Sequence, residues 1–135
     1  MLHYCPGGEL FFYLNACKRF KEDVVAFYCS NILLAIKCLH ENNIVYRDLK
    51  PENILIDVQG YANLTDFGLS KDNIGEKKAT SLCGTADYIA PELLKQKRSY
   101  GQEVDWWSFG CLIYDMLTGR PPFYGESNKI TFEKI

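Results

Sequence analysis

Val45-Tyr46-Arg47-Asp48-Leu49-Lys50-Pro51-Glu52-Asn53 runs directly into the apolar triplet Ile54-Leu55-Ile56. Two acids, two cations and an amide are thus packed into one short polar segment. Thirteen residues after Asn53 comes a further acid, Asp66, followed by Phe67-Gly68. The residues at 54–57 and at 61–65 have strand composition. Val58-Gln59-Gly60 between them is a turn, with Gly supplying an unusual backbone angle. Antiparallel strands joined by a short turn bring their outer ends together, so Asn53 and Asp66 are expected side by side. Asp48 and Lys50 then lie one short loop away. Oxygen ligands from one or two side chains, completed by water and substrate phosphates, suit Mg²⁺. On composition alone, a polar hairpin base whose charges merely face water accounts for the same residues.

Outward from this segment, the chain reads as a single small domain of 135 residues. Hydrophobic content of 47% and charged content of 24% are ordinary for a core-forming protein. A net charge of −2 argues against a general binder of nucleic acid or anionic membrane. No run of eighteen apolar residues occurs, so no membrane span is expected, and Met1 to Pro6 do not resemble a secretory signal. The six cysteines form no Cys-x-x-Cys pair, and neither His3 nor His40 has a second ligand near it in sequence, so zinc is not indicated. Scattered thiols without an export signal fit the cytosol or nucleus.

Upstream, residues 1–9 are expected to be extended, turning at Pro6-Gly7-Gly8, with a short helix over 9–16. Glu22 and Asp23 suit the positive end of a longer helix, in which Val25, Tyr28, Ile32, Ala35, Ile36 and Leu39 fall at helical spacing and Asn42-Asn43 ends the element. Downstream, residues 68–87 are poor in large apolar side chains and read as a functional loop. A short helix is expected over 90–94. An apolar helix follows over 104–117, closed by Gly119, stopped by Pro121-Pro122 and buried from several sides.

The polar segment, taken with its neighbours, resembles a known family. Tyr46-Arg47-Asp48-Leu49-Lys50-Pro51-Glu52-Asn53 is similar to the catalytic loop of eukaryotic protein kinases, Asp66-Phe67-Gly68 to their magnesium-binding element, and Ala90-Pro91-Glu92 to the element that closes the activation segment. Asp105-Trp106-Trp107-Ser108 resembles the start of the buried central helix of the larger lobe. Gly7-Gly8-Glu9-Leu10-Phe11, Cys83-Gly84-Thr85 and the Trp pair resemble the AGC group of serine/threonine kinases, nearest to its ribosomal-S6-kinase and protein-kinase-B branches. Tyr46 stands where most kinases have His. The resemblance spans the whole chain and implies an α+β fold: the mainly helical C-terminal lobe of a kinase, incomplete, with a small β-hairpin at the catalytic cleft.

The resemblance also implies roles. The reaction is transfer of the ATP γ-phosphoryl group to a protein hydroxyl, with Ser/Thr specificity marked by Lys50. Asp48 orients or accepts the hydroxyl proton, Lys50 holds the γ-phosphate, and Thr85 braces both. Asn53 and Asp66 hold Mg²⁺. ATP lies against Leu2, His3 and Cys5, with Leu2 as gatekeeper, Leu55 as apolar floor and Glu9 near the ribose; His3 replaces the acid usual there. Glu9 and Glu52 resemble acids that read arginine in basic substrates, for which two carboxylates flanking a groove are suited. An ordinary surface glutamate is the competing reading of each. His40 reads as a packing residue.

Ser81, with Thr80 as its neighbour, matches the phosphoacceptor of the activation loop, on which an upstream kinase acts. Arg47 and Lys71 match the cations that receive the phosphate. Asp105 fixes the backbone and Arg47 of the catalytic loop. Glu92 matches an acid whose arginine partner lies later in related chains, beyond the counterpart of Ile135. Ala86-Asp87 replaces the usual Pro-Glu before Tyr88. A glycine-rich phosphate loop, the strand lysine and its glutamate partner do not occur in the 135 residues. Two functional classes are carried forward: a serine/threonine kinase segment using ATP and Mg²⁺, and a catalytically silent lobe acting as a binding module or decoy.

Overall fold

The computed structural model describes residues 4–71, 84–94 and 100–135. Leu2, His3, Thr80, Ser81 and Cys83 lie outside the described residues.

The hairpin is present. Strand β2 (Ile54–Ile56) pairs antiparallel with β3 (Ala62–Leu64), with Ile54 opposite Leu64 and Ile56 opposite Ala62. Asp57 closes the turn: its Oδ1 accepts the amides of Gln59 at 2.8 Å and Tyr61 at 2.9 Å, and Gly60 takes φ +90°. A third strand, not foreseen as such, is β1 (Gly8–Glu9), which pairs with the other edge of β2. Gly7 permits this close approach, since a Cβ there would sit 2.7 Å from the carbonyl oxygen of Ile56. Helix α1 (Leu10–Cys17) therefore begins one residue later than expected, because Glu9 is held extended by the sheet.

Helix α2 (Glu22–Glu41) has the expected bounds. Val25, Ile32 and Ile36 are its buried stripe, and Asn43 at φ +58° takes the left-handed turn that ends it. By length and composition alone α2 is long and apolar enough to cross a membrane, a test that the core helix of a soluble protein passes equally. Helix α3 is the short Pro91–Leu94, and α4 is Glu103–Thr118. Gly119 at φ +87° caps α4, its amide donating to Asp115 O at 2.7 Å. Helix α5 (Asn128–Lys134) was not foreseen; Ser127 caps it by accepting the Ile130 amide at 3.4 Å.

The main core joins α1, α2, the sheet and α4 through Leu10, Ile32, Ile36, Ile54, Leu112 and Met116, all at 1% exposure or less. Each such side chain contributes roughly 1.5–3 kcal/mol on burial. A second cluster under the polar segment contains Val45, Ile89, Ala90, Leu93, Tyr100 and Val104. The expected burial of α4 from several sides holds on one flank only. Val104, Asp105, Ser108, Cys111, Leu112, Asp115 and Met116 are buried, whereas Trp106, Tyr114 and Leu117 are exposed.

Candidate active site

Asp105, fully buried on α4, receives the start of the polar segment. Its Oδ2 accepts the Tyr46 amide at 2.9 Å and its Oδ1 the Arg47 amide at 2.8 Å. His40 Nε2 lies 2.7 Å from the same Oδ2, and Gln102 Nε2 donates to His40 O at 2.7 Å. His40 thus packs edge-on to Trp106 and also contacts a carboxylate, more than a packing role requires. Arg47 adopts φ +70°, a conformation that a non-glycine residue holds only when its surroundings over-determine it. Gly84 makes room beside it; a Cβ there would lie 2.8 Å from Arg47 O.

That backbone geometry delivers four side chains to one point. Lys50 Nζ lies 2.9 Å from Asp48 Oδ2 and donates to Thr85 Oγ1 at 2.9 Å, and Thr85 donates in turn to Asp48 Oδ1 at 3.0 Å. Asn53 Nδ2 donates to Asp48 O and Oδ2, both at 2.9 Å. Asp48 and Asn53 are buried. The ion pair is therefore not the loose surface contact worth under ~1 kcal/mol that composition allowed.

At the hairpin base, the Thr65 amide donates to Asn53 O at 3.0 Å, so Asn53 and the Thr65-Asp66 step are adjacent. Asn53 spends its NH₂ on Asp48, which leaves its amide oxygen for another partner. Asp66 is exposed at φ +52°, and its Oδ1 accepts the Gly68 amide at 3.1 Å. This contact is an Asx turn. It occupies one carboxylate oxygen and leaves the other open. No group of three His, Cys, Asp or Glu placed to hold a metal ion among themselves occurs among the described residues. An amide oxygen and a carboxylate, with the remaining positions open, is a hard-oxygen donor set that fits Mg²⁺.

Tyr46 is fully buried beneath this site. Its hydroxyl donates to Thr65 O and its ring meets Phe67 edge-on at 5.5 Å. Burial, and then the charges of Asp48 and Asp66, push its phenol well above the ordinary range, so it is a neutral brace between segment and hairpin.

Arg47 donates through Nε to Leu69 O at 2.6 Å and through a terminal nitrogen to Tyr100 Oη at 2.8 Å. Lys71 pairs its backbone with Val45. Glu92 has no ion-pair partner among the described residues. Leu55 is half-buried in the central strand, opposite Glu9, and Cys5 is half-buried.

Of the two glutamates read as a groove-flanking pair, Glu52 lines a cavity of about 300 Å³ with Thr85, Asp87, Tyr88 and Asp115, and its Oε2 is buried without a hydrogen-bond partner. Glu9 stands on β1 opposite Leu55 and is not among the residues lining that cavity. A further carboxylate beside Glu52 is Asp115, which the sequence reading missed; the available signal was an acid inside the apolar helix α4. Asp115 Oδ2 accepts from Tyr88 Oη at 2.6 Å. Burial raises the Asp115 carboxyl above its ordinary value, the Tyr88 hydroxyl opposes this, and the charges of Glu52 and Asp87 add to the rise.

A family model described as the protein kinase domain matches residues 1–135. Among curated proteins, the chain is 50% identical over 136 residues to the ribosomal protein S6 kinase beta of Caenorhabditis elegans, covering all of this chain and 24% of that protein. It is 48% identical over 137 residues to the RAC family serine/threonine-protein kinase homolog of Dictyostelium discoideum, covering all of this chain and 31% of the relative. It is 47% identical over 135 residues to the cAMP-dependent protein kinase catalytic subunit of Schizosaccharomyces pombe, of which it covers 26%. The chain thus spans about a quarter to a third of the length of these relatives.

Proposed function

Given that this chain belongs to the protein kinase domain family, within the AGC group of serine/threonine kinases, we propose that the protein containing it transfers the γ-phosphoryl group of ATP to Ser or Thr of proteins. The observation that carries this reading is the closed ring of Asp48, Lys50 and Thr85, with Asn53 donating into it. Asp48 orients the incoming hydroxyl and takes its proton. Lys50 cancels charge on the transferring phosphoryl group while Thr85 holds the pair in register. Asn53 and Asp66 hold Mg²⁺, which neutralises phosphate charge when bound. The 135 residues form the hinge and the first part of the larger lobe, with Leu2, His3, Cys5 and Leu55 as the wall of the nucleotide site.

Arginine-containing sites are the proposed substrates. The buried, unpartnered Oε2 of Glu52, facing a cavity shared with Asp115, supports this: a guanidinium would satisfy both carboxylates. Glu9 keeps both of its proposed contacts, the ATP ribose and an arginine of the substrate. Phosphorylation of Ser81 by an upstream kinase is the proposed switch, with Arg47 and Lys71 receiving the phosphate.

In the full-length protein, Asp48→Asn should lower phosphoryl transfer at least a hundredfold, roughly the value of one positioned acid–base group, with ATP affinity unchanged. Ser81→Ala should remove activation, and unchanged activity would end the switch reading. The alternative, a silent binding module, is favoured if wild-type and Asp48→Asn proteins bind substrate equally and neither transfers phosphate. The 135-residue segment alone, with one wall of the nucleotide site, should bind ATP weakly and transfer little. Nanomolar ATP affinity would refute that.

A further inference from the structure

The acidic cavity has a basic neighbour. A second cavity, of about 150 Å³, is lined by Tyr114, Arg120, Pro121, Pro122, Tyr124 and Lys134. Arg120, Pro121 and Tyr124 line both cavities, so the two are contiguous. At the opposite end, Thr85 lines the acidic cavity and also hydrogen-bonds Asp48. These shared residues order the surface: the Asp48 cluster first, then Glu52, Asp87 and Asp115, then Arg120 with Lys134.

Arg120 is exposed, and its guanidinium makes no ion pair among the described residues although the neighbouring cavity holds three carboxylates. Lys134 is steered toward the same notch, its Nζ donating to Tyr124 O. The notch thus sets a planar cation with open donors and an ammonium beside Tyr114 and Tyr124, on which an extended peptide can rest.

We propose that Arg120, assisted by Lys134, is a specificity subsite for an anionic side chain of the substrate peptide, lying beyond the bound arginine as seen from the reacting hydroxyl. The ligand class is a carboxylate or a phosphorylated residue of that peptide. This rests on the reading of Glu52 and Asp115 as the arginine pocket. A substrate with alternating charge meets complementary charge in both cavities, whereas a uniformly basic peptide meets Arg120 as a like charge.

The test uses the full-length protein and a peptide series with one Ser and one Arg. Glu, phosphoserine, Gln or Lys is stepped through the positions beyond the Arg. At one register, Glu should lower KM roughly three- to tenfold relative to Gln, with phosphoserine lower still and kcat unchanged. Arg120→Gln should abolish the preference and Arg120→Glu should reverse it toward Lys. Direct peptide binding by fluorescence anisotropy should move with KM. If no register separates Glu from Gln, or if the preference survives in Arg120→Glu, the subsite does not exist. Replacing the peptide's Arg by Gln separates the two readings. Arginine dependence without an acid preference overturns this inference alone, while arginine independence overturns the arginine pocket and the subsite defined from it.

Discussion

Asp115 is a costly residue in its place. Its carboxyl is buried, and its pKa in the folded chain lies above the ordinary 3.8. A group raised on folding favours the native state in its protonated form. That contribution is complete below about pH 3.8 and is lost as pH rises through the raised value. Above that raised value the folded chain therefore holds a charge that it would be more stable without. Asp115→Asn keeps an acceptor for the Tyr88 hydroxyl and removes the charge. The variant should melt roughly 2–4 °C higher than wild type at pH 7, about 1 kcal/mol, with the gap closing toward pH 4 in thermal melts. Its KM for arginine peptides should rise about tenfold. A second test at this scale concerns His40. His40→Ala strips a hydrogen bond from the buried Asp105 carboxylate and should cost about 1–3 kcal/mol in urea unfolding. His40→Gln, which retains an N–H donor, should recover most of it. Equal losses in both variants would mean that His40 acts by packing alone.

Between elements, two glycines at nearly the same backbone angle have different tasks. Gly60 lies at φ +90° in the hairpin turn with open space around it. Gly119 lies at φ +87° after α4, and a Cβ there would come within 2.1 Å of Lys18 O at the end of α1. The first position requires only a left-handed angle. The second also requires that α1 and α4 touch backbone to backbone, a contact extended by the Phe20 amide donating to Met116 O at 2.8 Å. Gly60→Ala should therefore cost about 1 kcal/mol, and Gly119→Ala at least twice that, since the helix ends must separate. Comparable urea midpoints for the two variants would show that the α1–α4 contact is dispensable.

Over the whole molecule, a large share of apolar surface remains uncovered. Leu33, Leu34 and Phe27 of α2 are 44%, 67% and 42% exposed, and Trp106 and Tyr114 of α4 border an apolar cavity of about 370 Å³ with Phe123. Contiguous apolar patches of this kind drive association. The 135-residue segment in isolation should self-associate at micromolar concentrations in light scattering, and Leu34→Glu should reduce the associated fraction. A monodisperse monomer for the unsubstituted segment would contradict this reading of the α2 face.

Several features were determined by sequence alone. Helices α2 and α4 and the hairpin follow from hydrophobic period and turn chemistry, which act between residues close along the chain. So does the pairing of Asn53 with the Thr65-Asp66 step, because a short turn between two strands leaves their ends no other place to be. The motifs identified the family on the same local terms. Tertiary structure alone decided the third strand and helix α5. It also brought Asp115 from α4, Asp87 from the turn before α3 and Glu52 from the polar segment to one cavity, and seated Arg120 at its rim. These residues are far apart along the chain, and only the packing of α1 and α4 around a shared core brings their charges within reach of one ligand.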